Sequence, residues 1–182
     1  MKEVYIILTQ SGTYFSRLLK VFTGDEFNHA SICLDKNFKE FYSFGRLKVN
    51  NPFIGGFVKE NAFTHVFGKF ERVPCMVIKK EISEQQYNKI CALINTFARR
   101  SYIYGYDYIN LALAKTFFRV SHRKRFFCSE FVAHLFKKAN VAIPKIPEKM
   151  KPYDFTEMDD VEVIYKGELK EWCTQFQKTV CE

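Results

Sequence analysis

Apolar positions change period along this chain, and the changes mark out its elements. "EVYIIL" (residues 3–8) is an unbroken apolar run of strand length and predicts a buried strand. "SGTYFSRLLKVFTG" follows as a short helix, with Ser11 as N-cap and Gly24 as stop. "NHASICLDKNFKEFYSFGR" holds two β-compatible runs around Asp35-Lys36-Asn37, which predicts a hairpin with a loop of about three to five residues. Pro52 and the Gly55-Gly56 pair favour a loop with a short strand for "NNPFIGGFVKEN". "RVPCMVIKKEI" is a further strand. Ser83 and Gln86 then form a capping-box signature opening the long helix "SEQQYNKICALINTFARR".

"YGYDYINLALAKTFF" predicts another helix. In "CSEFVAHLFKKAN" the apolar residues Phe131, Val132, Leu135, Phe136 and Ala139 fall at helical spacing, with Glu130, His134, Lys137 and Lys138 on the polar face. Pro144, Pro147 and Pro152 impose an extended connection before a late strand, "VEVIYKG". No repeat, low-complexity tract or linker interrupts the chain. The expectation is one α+β domain over residues 1–182, with helices packed on an antiparallel sheet or small barrel.

The 182 residues are 47% apolar, enough for a substantial core, and the 20 Phe and 10 Tyr exceed what a minimal core needs. That excess serves either a Phe-packed core or an apolar groove. Lys plus Arg outnumber Asp plus Glu by 28 to 20, with clusters at "SHRKRFFC" and "PKIPEKMKP", which suggests attraction to an anionic surface or substrate. No zinc-finger spacing, RNP-like motif or DNA-reading basic helix appears, so nucleic acid is not expected as a partner. The opening residues read as a strand and not as a signal peptide, and no apolar run approaches the roughly 20 residues that span a bilayer. Cys33, Cys75, Cys91, Cys128, Cys173 and Cys181 include no CxxC pair, which predicts reduced thiols and a cytoplasmic setting.

Cys128 stands apart because it opens a helix. Unpaired N–H groups and the helix dipole there favour a thiolate, the nucleophilic form of cysteine. The other five cysteines are expected to be packing residues. A thiolate that attacks a carbonyl needs a base, and four histidines compete for that role. His134 points to a different helix face from Cys128, His122 lies in a basic run, and His65 has no framing pattern. His29 begins a strand, a rigid platform from which an imidazole can face a helix on the sheet. If the hairpin turn centres near Lys36, Ser43 lies opposite His29, with Tyr42 next to it should the register slip. Glu60 on the following segment is the rival third residue, with the charge the role prefers; Ser43 and Tyr42 rank slightly ahead on geometry. His29 and Cys33, about 13 Å apart along a strand, are too distant to share a metal, and no metal or cofactor is expected.

"FNHASICLD", "FYSFGR" and "FFCSEFVAHLF", in that order, resemble the circularly permuted branch of the NlpC/P60 papain-like superfamily, which contains the YiiX-like and LRAT-like proteins. The resemblance covers most of the chain. It implies a permuted papain-like fold, Cys128 as nucleophile and His29 as base, and a third polar residue on the strand after His29. It also implies acyl cleavage or transfer at amide or ester bonds, and the expected function is a cysteine hydrolase or acyltransferase acting on an amide, ester or thioester bond. The backbone N–H groups of Cys128 and Ser129 are expected to serve an oxyanion, and Arg123, Lys124 and Arg125 to draw in the substrate. Positive charge and aromatic richness favour a small acyl-peptide or acyl-lipid. The alternative is a non-catalytic papain-like module that binds an acidic peptide or lipid head group, a reading encouraged by the want of a clear carboxylate in the triad.

Overall fold

A computed structural model describes residues 1–10, 26–48, 51–112 and 124–178. The expected helix at residues 11–24, His122, Arg123 and Cys181 lie outside the described residues. The architecture is α+β, built on a six-stranded antiparallel sheet. Its strands are β1 (Lys2–Thr9), β2 (His29–Cys33), β3 (Phe41–Lys48), β4 (Asn51–Glu60), β5 (Pro74–Ile82) and β8 (Val161–Glu168), in the order β4-β3-β2-β1-β5-β8.

β1 is central, which explains its unbroken apolar run. Its Val4, Ile6 and Leu8 join one core cluster and its Tyr5 and Ile7 the other, on the opposite face. The first face carries helix α2 (Glu84–Arg99) and helix α4 (Cys128–Lys138), which contributes Phe131, Val132, Leu135 and Phe136. α2 opens with the predicted capping box: the Gln86 N–H donates to Ser83 Oγ at 3.2 Å and the Ser83 N–H to Gln86 Oε1 at 2.9 Å. Much of the phenylalanine excess goes here. Phe131 packs its ring 5.1 Å from both Phe44 and Phe97 and 5.7 Å from Phe57, contacts worth about 0.5–1.5 kcal/mol each beyond area burial. Helix α5 (Leu169–Lys178) covers the second face with Leu169, Trp172 and Cys173.

Three expectations are corrected. The β2–β3 loop runs from residue 34 to residue 40, longer than predicted, because Phe38 adopts a positive φ of 50° and turns back into the core against Tyr5 and Trp172. Residues 51–60 form a full strand in place of the expected loop with a short strand. Pro52 is tolerated because β4 is an edge strand, and the glycine pair answers a packing demand: a Cβ on Gly55 would lie 2.7 Å from Tyr106 Cβ, and one on Gly56 would lie 3.1 Å from the Tyr104 carbonyl oxygen. The tyrosine segment is not one helix. Strand β6 (Gly105–Tyr106) pairs in parallel with β7 (Arg125–Phe126), and only then does helix α3 (Tyr108–Ala112) begin. Buried Asp107 stops the strand by capping that helix, accepting from the Asn110 N–H at 2.9 Å. The short helix α1 (His65–Gly68), like α5, had no counterpart in the sequence reading.

Candidate active site

The start of β2 meets the start of α4, and Glu60, which closes β4 opposite Phe41, reaches back along the sheet towards His29. His29 is the first residue of β2 and Cys128 the first of α4. The Cys128 thiol and the His29 imidazole act on one another's ionisation, and Cys128 Sγ meets the carbonyl oxygen of Asn28, the residue before His29, at 4.0 Å. His29 Nε2 also meets Glu60 Oε1 at 2.9 Å and Oε2 at 3.1 Å. With Nε2 engaged by the carboxylate, Nδ1 is the nitrogen left for the sulfur. The Ser31 hydroxyl donates to Glu60 Oε2 at 2.6 Å and steadies the carboxylate from the other side. Phe67, from α1, lays its ring edge-on to the imidazole at 6.2 Å.

The placement of Glu60 corrects the ranking of the third residue. The β2–β3 pairing of Ile32 with Tyr42 shifts the expected register, so Gly45 comes level with His29 and Ser43 with Ser31. Ser43 Oγ instead donates to the Ala30 carbonyl at 2.7 Å, and the Tyr42 hydroxyl bonds Glu40 at 3.0 Å. A Cβ on Gly45 would sit 3.7 Å from His29 Cε1 and 3.6 Å from Glu60 Oε1. Position 45 thus lies beside both partners of the His29–Glu60 contact.

Electrostatics at the pair run against burial. Burial alone pushes the Cys128 thiol up, but its hydrogen bond to His29, the imidazolium charge and the backbone N–H groups of Ala30 and Ser129 hold it below the ordinary thiol range. For His29, burial pushes down, while the Glu60 charge and the contact with Cys128 prevail and raise it well above 6.5. The two shifts describe one state, an imidazolium beside a thiolate. The Ser129 N–H, expected to serve an oxyanion, is also among the groups that lower the Cys128 thiol.

Tyr106 is a site residue that the sequence reading missed. Burial, then the charge of the Cys128 sulfur, raises its hydroxyl well above 10.0 and keeps it protonated. It is therefore a buried phenol under the influence of the reacting sulfur. The signal was present in "YGYDY", where tyrosines alternate with small or acidic residues at a strand's period of two.

The other candidates lie apart. His134 packs between Phe126 and Phe97, with ring centroids at 5.0 and 6.2 Å, and burial first, then Lys138, lowers its pKa. His65 lines a cavity of about 180 Å³ beside Glu60. Lys124 and Arg125 are exposed and adjoin β6: the Gly105 N–H donates to the Lys124 carbonyl at 2.9 Å, and Gly105 pairs with Arg125. In the second basic stretch, Lys145 pairs with Asp154 at 2.6 Å. Among the described residues no cluster of His, Cys, Asp or Glu suits a metal ion, and no helix is long and apolar enough to cross a membrane. No protein-family model matches the chain, and no curated protein matches it.

Proposed function

We propose that this protein is a cysteine hydrolase or acyltransferase that cleaves an amide, ester or thioester bond through a Cys128-His29-Glu60 triad. The observation that carries the reading is the imidazole of His29, gripped by the Glu60 carboxylate at 2.9 Å, beside Cys128, whose sulfur meets the carbonyl oxygen of the adjacent Asn28 at 4.0 Å. Nucleophile, base and orienting group are thereby in one chain of contacts. The Glu60 carboxylate removes the ground for preferring a non-catalytic binding module. The permuted papain-like assignment draws support from the element order, histidine strand first and cysteine helix late, and from the antiparallel sheet between them.

In the proposed cycle the Cys128 thiolate attacks the substrate carbonyl carbon, and the carbonyl electron pair moves onto oxygen. The Tyr106 O–H and the Cys128 N–H at the helix start are the donors for that oxyanion. The oxyanion collapses, the bond to the leaving group breaks, and the His29 imidazolium gives its proton to the departing nitrogen, oxygen or sulfur. Neutral His29 next takes a proton from water or from an acceptor, which attacks the thioester and frees Cys128. Glu60 keeps the imidazole oriented and its charged form stabilised throughout. Lys124 and Arg125, exposed beside the strand that carries Tyr106, add positive charge to that surface.

Incubation with an activated aryl ester, quenching in acid and intact-mass measurement test the reading. An acyl adduct that maps to Cys128 is expected, and it should be missing from Cys128→Ala. Acylation at another residue, with Cys128 untouched, would overturn the mechanism.

A further inference from the structure

Among the described residues two buried side-chain polar atoms meet no hydrogen-bond partner, Thr9 Oγ1 and Trp172 Nε1. Trp172 belongs to α5, whereas Thr9 is the last residue of β1 and stands directly opposite His29, the first of β2. Val4, Ile6 and Leu8 of β1 and Ala30 and Ile32 of β2 fill the core cluster that α4 covers, so Thr9 and His29 share the other face of the sheet. Directly opposed residues of an antiparallel pair hold their Cβ atoms about 4.5–5.5 Å apart. Thr9 is closed to solvent, and water does not satisfy its hydroxyl. Such an orphan is costly, and a valine of the same shape would avoid the cost.

The other residue opposite Thr9 is Cys75, on β5. Burial pushes that thiol up to about 12, so it stays protonated throughout a reaction near neutral pH. His29 is the neighbour that changes. At rest it is an imidazolium whose Nε2–H is held by Glu60 and whose Nδ1–H faces the sulfur, so the ring offers the Thr9 hydroxyl no acceptor. Once its proton has gone to the leaving group the ring is neutral, Nε2–H still lies on Glu60, and Nδ1 carries a bare lone pair. The acylated sulfur has neither a proton nor a charge to offer it. Nδ1 adjoins the ring carbon that joins the side chain, which makes it the nitrogen nearer the sheet.

We propose that Thr9 is a positioning residue whose hydroxyl donates to His29 Nδ1 in the acyl-enzyme, occupying the base and slowing attack by water until a bound acceptor displaces it. The proposal rests on the reading of Cys128 as nucleophile and favours transfer over hydrolysis at that site. Thr9 makes and breaks no covalent bond: its proton stays on oxygen, and the acceptor's proton passes to Nδ1 when the hydroxyl gives way. A buried donor unpaired at rest and a buried acceptor unpaired after acylation thereby satisfy one another.

Acylation of the full chain by p-nitrophenyl acetate tests this role. The burst of nitrophenolate gives the acylation rate, and loss of the acetyl mass after removal of excess ester gives the rate of release to water. The ratio of release to burst is expected to rise about fivefold in Thr9→Val, the worth of one neutral hydrogen bond, and to keep the parent value in Thr9→Ser. Both rates are read on molecules that acylate, so the ratio stays informative in a variant that folds only in part. An unchanged or lowered ratio in Thr9→Val would overturn the role. An equal rise in Thr9→Ser would overturn it as well, because the shape of the side chain and not its hydroxyl would then set the rate. A parent chain with no burst and no acetyl adduct on Cys128 would instead overturn the nucleophile itself.

Discussion

Cys75 and Cys128 are both closed to solvent, at 1% and 3% exposure, yet their thiols are driven in opposite directions. Cys75 lies on β5 in the apolar cluster that α5 covers. Burial pushes it up to about 12, Cys173 and Glu168 add to the rise, and one backbone bond from Gly167 opposes it. Cys128 meets the same burial but also an imidazolium and two directed N–H groups, and its thiol is lowered. Burial sets the penalty for a thiolate in both places, and the partners decide whether it forms. The contrast is one of position. Mid-strand, backbone groups are consumed by the ladder, whereas the meeting of a strand start and a helix start leaves N–H groups free to face a side chain.

The most drastic way to break the contrast is Cys128→Ala. Labelling by iodoacetamide near pH 6 is expected to fall about 10²-fold, since an ordinary thiol is well under 1% ionised there. Cys173→Ala should leave that labelling unchanged, and peptide mapping by mass checks both. His29→Gln comes next. It removes the acid–base group, so acyl turnover should fall by about 10²–10⁴-fold. The pH profile of alkylation should also climb towards that of Cys75, because burial is then no longer opposed by the imidazolium.

Glu60→Gln sharpens the contrast by acting through His29 alone. As pH falls through the lowered Cys128 value the sulfur takes up a proton, and as pH rises through the raised His29 value the leaving group loses its acid. Activity is therefore expected to follow a bell, whose limbs belong to the coupled pair. Removing the Glu60 charge lowers the His29 value, which moves the alkaline limb to lower pH and costs about tenfold in rate, one pK unit of interaction being worth about that factor. Steady-state rates across pH check this, and an unmoved alkaline limb would deny Glu60 its role. Gly55→Ala tests the wall that carries Tyr106. With Tyr106 Cβ only 2.7 Å from the added methyl, overpacking should cost about 1–3 kcal/mol in urea unfolding and slow acylation as Tyr106 is displaced.

The nearness of Cys128 to His29 was legible because each residue opens an element with a clean apolar pattern: alternation after His29, helical spacing after Cys128. Glu60 and Tyr106 were harder to see for separate reasons. Glu60 ends a strand that Pro52, Gly55 and Gly56 disguise as a loop, because those residues answer to an edge position and to tyrosines packed on top. Its reach to His29 also depends on a hairpin register set by Phe38, a long-range packing choice that local turn chemistry does not reveal. Tyr106 sits in a two-residue strand whose partner lies about twenty positions later, so the period-two alternation in "YGYDY" gave no sign of what the strand pairs with. α5 went unread although Leu169, Trp172, Cys173 and Phe176 have helical spacing; it follows β8 directly, with no connecting turn to announce it.

The gentlest test is Cys75→Ala. Deleting one buried sulfur from a cluster that includes Val73, Val77 and Leu169 should cost about 1 kcal/mol, the worth of one buried methylene-sized group plus a small void. Burial holds Cys75 protonated, so the variant loses packing and no charge. Cys128 gathers its partners on the far side of β2, from α4, β6 and the strand start, and Cys75 is not among the groups acting on its thiol. Alkylation of Cys128 should therefore proceed at the parent rate while the urea midpoint falls. A slower Cys128 in the folded variant would mean that the second apolar cluster holds the His29 end of the sheet in place, and that the two cysteine environments are mechanically one.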